Sequence, residues 1–208
     1  MASLRISRLA QVVLTGLLAW APASADAGAP TEQLKGAVDQ IVKVLEDPAL
    51  KAQGREKERR AAIRREAETV FDFGETAKRA LGRHWQPLAE KDRQEFTSLF
   101  SDLIERAYIS KIERYSGERI TYTGESIDGA VASVRTRFVT KQGTEIPIDY
   151  RMQQRGDRWL VYDVVVEGIS LINNYRTQFE KIIQTSSYAE LVRRLKAAEV
   201  AAPAAPKS

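Results

Sequence analysis

The chain has no cysteine, and that absence removes several chemistries at once. It leaves no disulfide, no thiolate nucleophile, no cysteine ligand for zinc and no thiol for a lipid anchor. Histidine is almost as scarce. His84, in Gly82-Arg83-His84-Trp85, is the single imidazole. Neither a histidine metal pair nor a nucleophile–histidine couple can be built from it, so a helix-end or packing role is expected. An excess of one charge is also missing. The 208 residues carry 32 Lys and Arg against 28 Asp and Glu. A nucleic-acid binder concentrates a strong basic excess on one face, and this balance argues against one.

A long hydrophobic run is missing too. The apolar stretch from Leu9 to Leu18 is broken by Gln11, Thr15 and Gly16, and it falls short of the about 20 residues a spanning helix needs. Arg5 and Arg8 precede it, and Pro22 with Ala23-Ser24-Ala25 follows it. Residues 1–25 therefore read as an export signal cleaved before Asp26, with an uncleaved N-terminal anchor as the alternative. Without Arg5 and Arg8 the basic count is 30 against 28 acids, a net charge of +2. Residues 26–196 are long enough for one domain with its own core. Residues 197–208, rich in Ala and Pro, are expected to form a disordered tail.

What is present has a clear order. Thr31 to Glu46 reads as a helix, with Thr31 as a candidate N-cap, a stripe of Leu34, Val38, Ile41 and Leu45, and Pro48 ending it. Arg55 to Phe71 reads as a second, highly charged helix. A short apolar segment from Phe71 to Leu81 stops at Gly82. Glu90 to Tyr115 is the longest helix, and Phe96, Leu99, Phe100, Leu103, Ile104, Ala107, Tyr108 and Ile112 form its wide stripe. Four strands follow: 118–125, 130–141, 144–154 and 158–167. Asp128-Gly129, Gln142-Gly143 and Gly156-Asp157 recur fourteen residues apart between them, as hairpin turns do. Two helices close the chain. One starts after Gly168. The other starts at Ser187-Tyr188-Ala189-Glu190, a capping box. Helices, then an antiparallel meander, then helices define an α+β fold.

Two charged features invite a functional reading. Asp163 lies inside an apolar strand, counted in phase with Trp159, Val161 and Val165. A buried carboxylate there is either a hydrogen-bonded scaffold group or, in an isomerase-like pocket enzyme, a base. The run Arg55-Glu56-Lys57-Glu58-Arg59-Arg60, with Arg64-Arg65-Glu66, is either a solvated helix face or a site for an anionic headgroup or partner.

The block from Trp159 to Phe179 carries a further signal, above all Val161-Tyr162-Asp163-Val164 leading into Glu167-Gly168-Ile169-Ser170-Leu171. It closely resembles the signature of the periplasmic phospholipid-shuttle family MlaC, also called the toluene-tolerance family. Phe71-Asp72-Phe73 with Ala80-Leu81-Gly82 and Trp85 looks similar too, as do the long-helix aromatics with Tyr115-Ser116-Gly117 and the stretch Tyr188 to Leu195. The resemblance implies four curved antiparallel strands with helices on one face, like nuclear transport factor 2, enclosing an apolar pocket. It implies a non-enzymatic periplasmic carrier of diacyl phospholipid, with no cofactor, the lipid being cargo. The partners implied are an outer-membrane lipoprotein–porin complex and an inner-membrane ABC transporter. A sister branch linked to hopanoid lipids has a similar plan. The expected pocket lining is Val134, Phe138, Ile146, Ile148, Tyr150, Val164, Val166 and Ile169 from the sheet region, with Phe100, Ile104 and Tyr108 from the long helix.

Overall fold

Three glycine turns set the sheet. Gly129, Gly143 and Gly156 take φ of 55°, 83° and 59°, left-handed values that a residue with a Cβ reaches only at a cost. In the computed structural model, which describes residues 29–202, these turns join β1 (Arg119–Asp128), β2 (Val131–Val139), β3 (Glu145–Arg155) and β4 (Arg158–Val166) into an antiparallel meander. The expected cleavage site before Asp26 lies outside the described residues. A fifth strand, β5 (Ile169–Ser170), was not anticipated. Glu167 and Gly168, at φ of 50° and 80°, fold the chain back so that β5 pairs with β4, and the strand order is β1-β2-β3-β4-β5.

A bulge in β4 changes which residues face which way. Met152 pairs with Val161, but the neighbouring Arg151 pairs with Asp163, leaving Tyr162 as the extra residue. Paired residues share a face of the sheet. Trp159, Val161, Val164 and Val166 therefore join Met152, Tyr150 and Ile148 on one face, while Asp163 and Val165 fall on the other with Arg151 and Asp149. Simple alternation placed Asp163 and Val165 in phase with Trp159 and Val161. The bulge corrects that.

Among the described residues seven α-helices accompany the sheet: α1 (Ala29–Glu46), α2 (Pro48–Lys51), α3 (Glu56–Val70), α4 (Phe73–Leu81), α5 (Glu90–Ile112), α6 (Leu171–Thr185) and α7 (Tyr188–Lys196). Pro48 ends α1 as expected, and it also takes the first position of the single turn α2, where its missing N–H costs nothing. The Asp47 carboxylate accepts from Ala49 N at 2.8 Å there. Thr31 is not the N-cap of α1, which begins at Ala29. Its N–H and Oγ1 both donate to Glu125 on β1, at 2.8 and 2.6 Å. Asp72 caps α4 through Glu75 N, and Ser187 caps α7 through Glu190 N. None of the described helices is long and apolar enough to cross a membrane.

The apolar interior is divided. One core lies wholly among α4, α5, α6 and α7, where Phe100 meets Tyr175 and Phe179 edge-on at 5.1 and 5.3 Å. Val200, only 8 % exposed, joins it, so packing runs past the expected start of the tail at 197. The second core joins the sheet to α1 and the end of α3 through Leu34, Val70, Val134, Met152, Trp159 and Val161.

Candidate functional site

Between the two cores lies a cavity of about 460 Å³, within the range of small-molecule sites. Helix α3 contributes Ile63 and Ala67, and the turn into α4 contributes Phe71 and Phe73. Helix α5 contributes Ile104, Tyr108, Ile109 and Ile112. The sheet side is Ile148 and Tyr150 of β3 with Val164 and Val166 of β4, followed by Ile169, Leu171 and Ile172. The wall is mostly hydrocarbon and aromatic, with Thr76, Ser101, Asp163 and Asn174 adding polar groups. It reaches solvent beside Ile112 and Ile169, large apolar side chains that stand 38 % and 45 % exposed. Charged groups gather there as well: Arg60 and Arg64 of α3, Glu105 and Lys111 of α5.

Of the residues expected to line a pocket, Ile104, Tyr108, Ile148, Tyr150, Val164, Val166 and Ile169 stand on this wall. Four do not. Phe100 is buried in the helical core, and Val134, with none of its surface exposed, is buried in the sheet core. Phe138 and Ile146 are a cross-strand pair one step beyond the Thr136–Ile148 pair. They share the face of Ile148 but lie off the wall. Periodicity identifies inward-facing positions. It does not tell whether the space they face is filled.

The α3 side of the wall was missed in the sequence because that helix reads as charged. Ile63, Ala67 and Val70 nevertheless fall at i, i+4 and i+7, a narrow apolar stripe that could have been found. Burial raises the Tyr108 phenol and pushes Tyr150 up to about 12, so both present a neutral hydroxyl at physiological pH.

Asp163 sits where β4 meets α6, 4 % exposed and with three donors. Its Oδ2 accepts from Arg151 Nη1 at 3.0 Å and from Ser170 Oγ at 2.6 Å, and its Oδ1 accepts from Ile172 N at 3.1 Å. Ser170 is also the N-cap of α6, its Oγ accepting from Asn173 N at 3.0 Å. Carboxylate and hydroxyl together satisfy two first-turn N–H groups that a helix leaves open, and the negative charge suits that helix end.

The other singled-out polar groups are also engaged. His84 Nε2 lies 2.8 Å from Glu180 Oε2, and Arg83 pairs with the same carboxylate, tying the 3₁₀ turn Gly82–His84 to α6. The basic run of α3 faces the acids of α5. Arg59 and Arg60 both reach Glu113 at 2.9 Å, and Arg64 reaches Asp102 at 3.1 Å and Glu105 at 2.6 Å.

Fold and site together define a class: an α+β protein whose helices and antiparallel meander hold a largely apolar cavity between two cores, with charged groups at its mouth and the buried Asp163 on its wall. The chain belongs to the MlaC family, whose model, described as MlaC protein, matches residues 35–197. It is similar to the intermembrane phospholipid transport system binding protein MlaC of Haemophilus influenzae, 21 % identical over 188 residues that cover 88 % of this chain and 87 % of the relative. It is also similar to the toluene tolerance protein ttg2D of Pseudomonas putida, 28 % identical over 92 residues, 44 % of this chain and 43 % of that protein. Among solved structures, the phospholipid-binding protein from Ralstonia solanacearum, in complex with a phospholipid, shares the fold. Its TM-score is 0.73 at 24 % identity, covering 82 % of this chain and 96 % of that one.

Proposed function

We propose that this protein is a periplasmic carrier of diacyl phospholipid, shuttling it between an outer-membrane lipoprotein–porin complex and an inner-membrane ABC transporter. The observation that carries this reading is the largely hydrocarbon-walled cavity, whose mouth carries charged groups and whose one buried carboxylate among the lining residues, Asp163, is already hydrogen-bonded. Burial is worth roughly 0.8 kcal/mol per methylene, so a long acyl tail gains on the order of ten kcal/mol by leaving water for such a wall. The mouth leaves a polar headgroup in contact with solvent. The names of the relatives, which speak of phospholipid transport and phospholipid binding, point the same way.

On this reading no cofactor is needed, the lipid is cargo, and Asp163 is scaffold. Its three donors already occupy both carboxylate oxygens, which favours that role over a catalytic base. Mass spectrometry of lipid extracted from the purified protein tests the proposal. Stoichiometric diacyl phospholipid supports it. A hopanoid in its place moves the protein to the sister branch, and a lipid-free protein that takes up none from vesicles overturns it.

A further inference from the structure

The two ends of the cavity are bridged by different chemistry. At the end near β4, the halves are joined by bonds that each use at least one backbone group. Asp72 N donates to Val161 O at 2.9 Å, Thr76 Oγ1 donates to Tyr162 O at 3.2 Å, and Ile172 N donates to Asp163. At the mouth, α3 and α5 run antiparallel and the bonds between their polar faces are side-chain ion pairs. Arg60 grips Glu113 through both carboxylate oxygens, Nε to Oε1 at 3.1 Å and Nη2 to Oε2 at 2.9 Å. Arg59 adds a second guanidinium to Oε1 of the same carboxylate. One turn along α3, Arg64 bridges Asp102 and Glu105. Beneath them lies a small apolar cluster built on Leu45, Ile63 and Ile109.

Arg60, Arg64 and Glu105 are also on the cavity wall. The groups that hold the two helices together are therefore groups that cargo must pass. Glu113 is the hub of the pairing. Its side chain is 10 % exposed although it sits at the end of a surface helix. Arg60 first, and then Arg59 against the opposing effect of burial, hold its carboxyl below the ordinary range. Arg64 and its two partners on α5 are between 30 % and 40 % exposed. Water and salt reach these pairs, so they can part and re-form, which the more buried bonds near β4 do far less readily.

We infer that the α3–α5 ion pairs are a clasp over the cavity mouth, and that its release sets how fast acyl cargo enters and leaves. The inference rests on the carrier reading. It assigns Glu113 and Arg64 a role in exchange rate rather than in cargo affinity alone.

The test is transfer of a fluorescent-tailed phospholipid from the purified protein to phosphatidylethanolamine–phosphatidylglycerol vesicles. Wild type is compared with Glu113→Gln and with Arg64→Met, which keeps the apolar stem. Thermal melts confirm that each variant is folded. Both variants should transfer faster, by roughly five-fold, the rate equivalent of an exposed ion pair. Raising the salt concentration should speed wild type and leave Glu113→Gln less affected, because one pairing it would screen is already gone. Folded variants that hold lipid but transfer at the wild-type rate, with the same salt dependence, overturn the clasp and leave the carrier reading standing. Wild-type protein that holds no phospholipid at any salt concentration overturns the carrier reading, and the clasp with it.

Discussion

Ser170 Oγ donates to Asp163 Oδ2 at 2.6 Å while accepting from Asn173 N at 3.0 Å. One hydroxyl thereby links the end of β4 to the first turn of α6, and so links the cavity's sheet wall to the helical core. A carboxylate so enclosed is tolerable because its donors are in place. The junction is a structural joint, and its loss is expected to appear in stability before it appears in cargo.

Asp163→Asn is expected to lower stability by about 1–3 kcal/mol, the range for leaving buried donors without an ionic partner. The folded fraction should retain bound lipid. Chemical denaturation with lipid analysis of the native fraction measures both. A fully stable variant that has lost function would reverse the assignment and make Asp163 a chemical group.

Ser170→Ala removes the N-cap acceptor of α6 and a donor to Asp163 together. The expected cost is about 1 kcal/mol, in the usual range for an N-cap. Combined with Asp163→Asn the effects should fall short of additive, because both changes disable the same network. A double-mutant cycle gives the coupling directly, and strict additivity would show that the two residues act separately.

Ile148→Trp and Val134→Trp separate wall from core. Ile148 lines the cavity, so added bulk should displace cargo and leave the melting temperature nearly unchanged. Val134 has no exposed surface, so the same substitution overpacks the sheet core and should cost about 1–3 kcal/mol or more. Identical behaviour of the two variants would place the cavity boundary elsewhere.

Acid should loosen α7 early. Arg193 first, and Arg194 after it, hold the Glu190 carboxyl down to about 2 against an ordinary 4.5. A depressed carboxylate stabilises the fold above its unfolded value, and the contribution disappears as pH falls from about 4.5 towards 2. Amide protection in α7, corrected for intrinsic exchange, should therefore drop across that window. Glu190→Gln should flatten the profile, and an unchanged profile would remove Glu190 from the account.

The strands were legible because their turns are punctuated. Gly129, Gly143 and Gly156 mark each reversal, and the strand bounds read from them lie within three residues of those observed. The bulge at Tyr162 was not legible, since nothing local distinguishes an extra residue from an alternating one in an apolar run. It misplaced Asp163 by one face. The division into two cores was equally hidden. Phe100 and Ile104 lie one helical turn apart on the same stripe of α5, yet the first is packed among aromatic rings and the second borders empty space. Which of the two occurs depends on partners distant in the chain. So does the fate of the basic run in α3, since Arg60 and Glu113 are 53 residues apart.

Beyond the bulge, β4 interleaves two duties at single-residue spacing. Val164 and Val166 border the cavity, as does Asp163 at the junction with α6, while Val165 between the two valines is turned away from it. A substitution scan along 164–166 should alternate between two kinds of defect, lost cargo at 164 and 166 and a weakened fold at 165. The strand therefore has little room to drift. Nearly every change is constrained, but neighbouring positions are constrained for unrelated reasons, and a change that spares the fold at one residue says nothing about what its neighbour will tolerate.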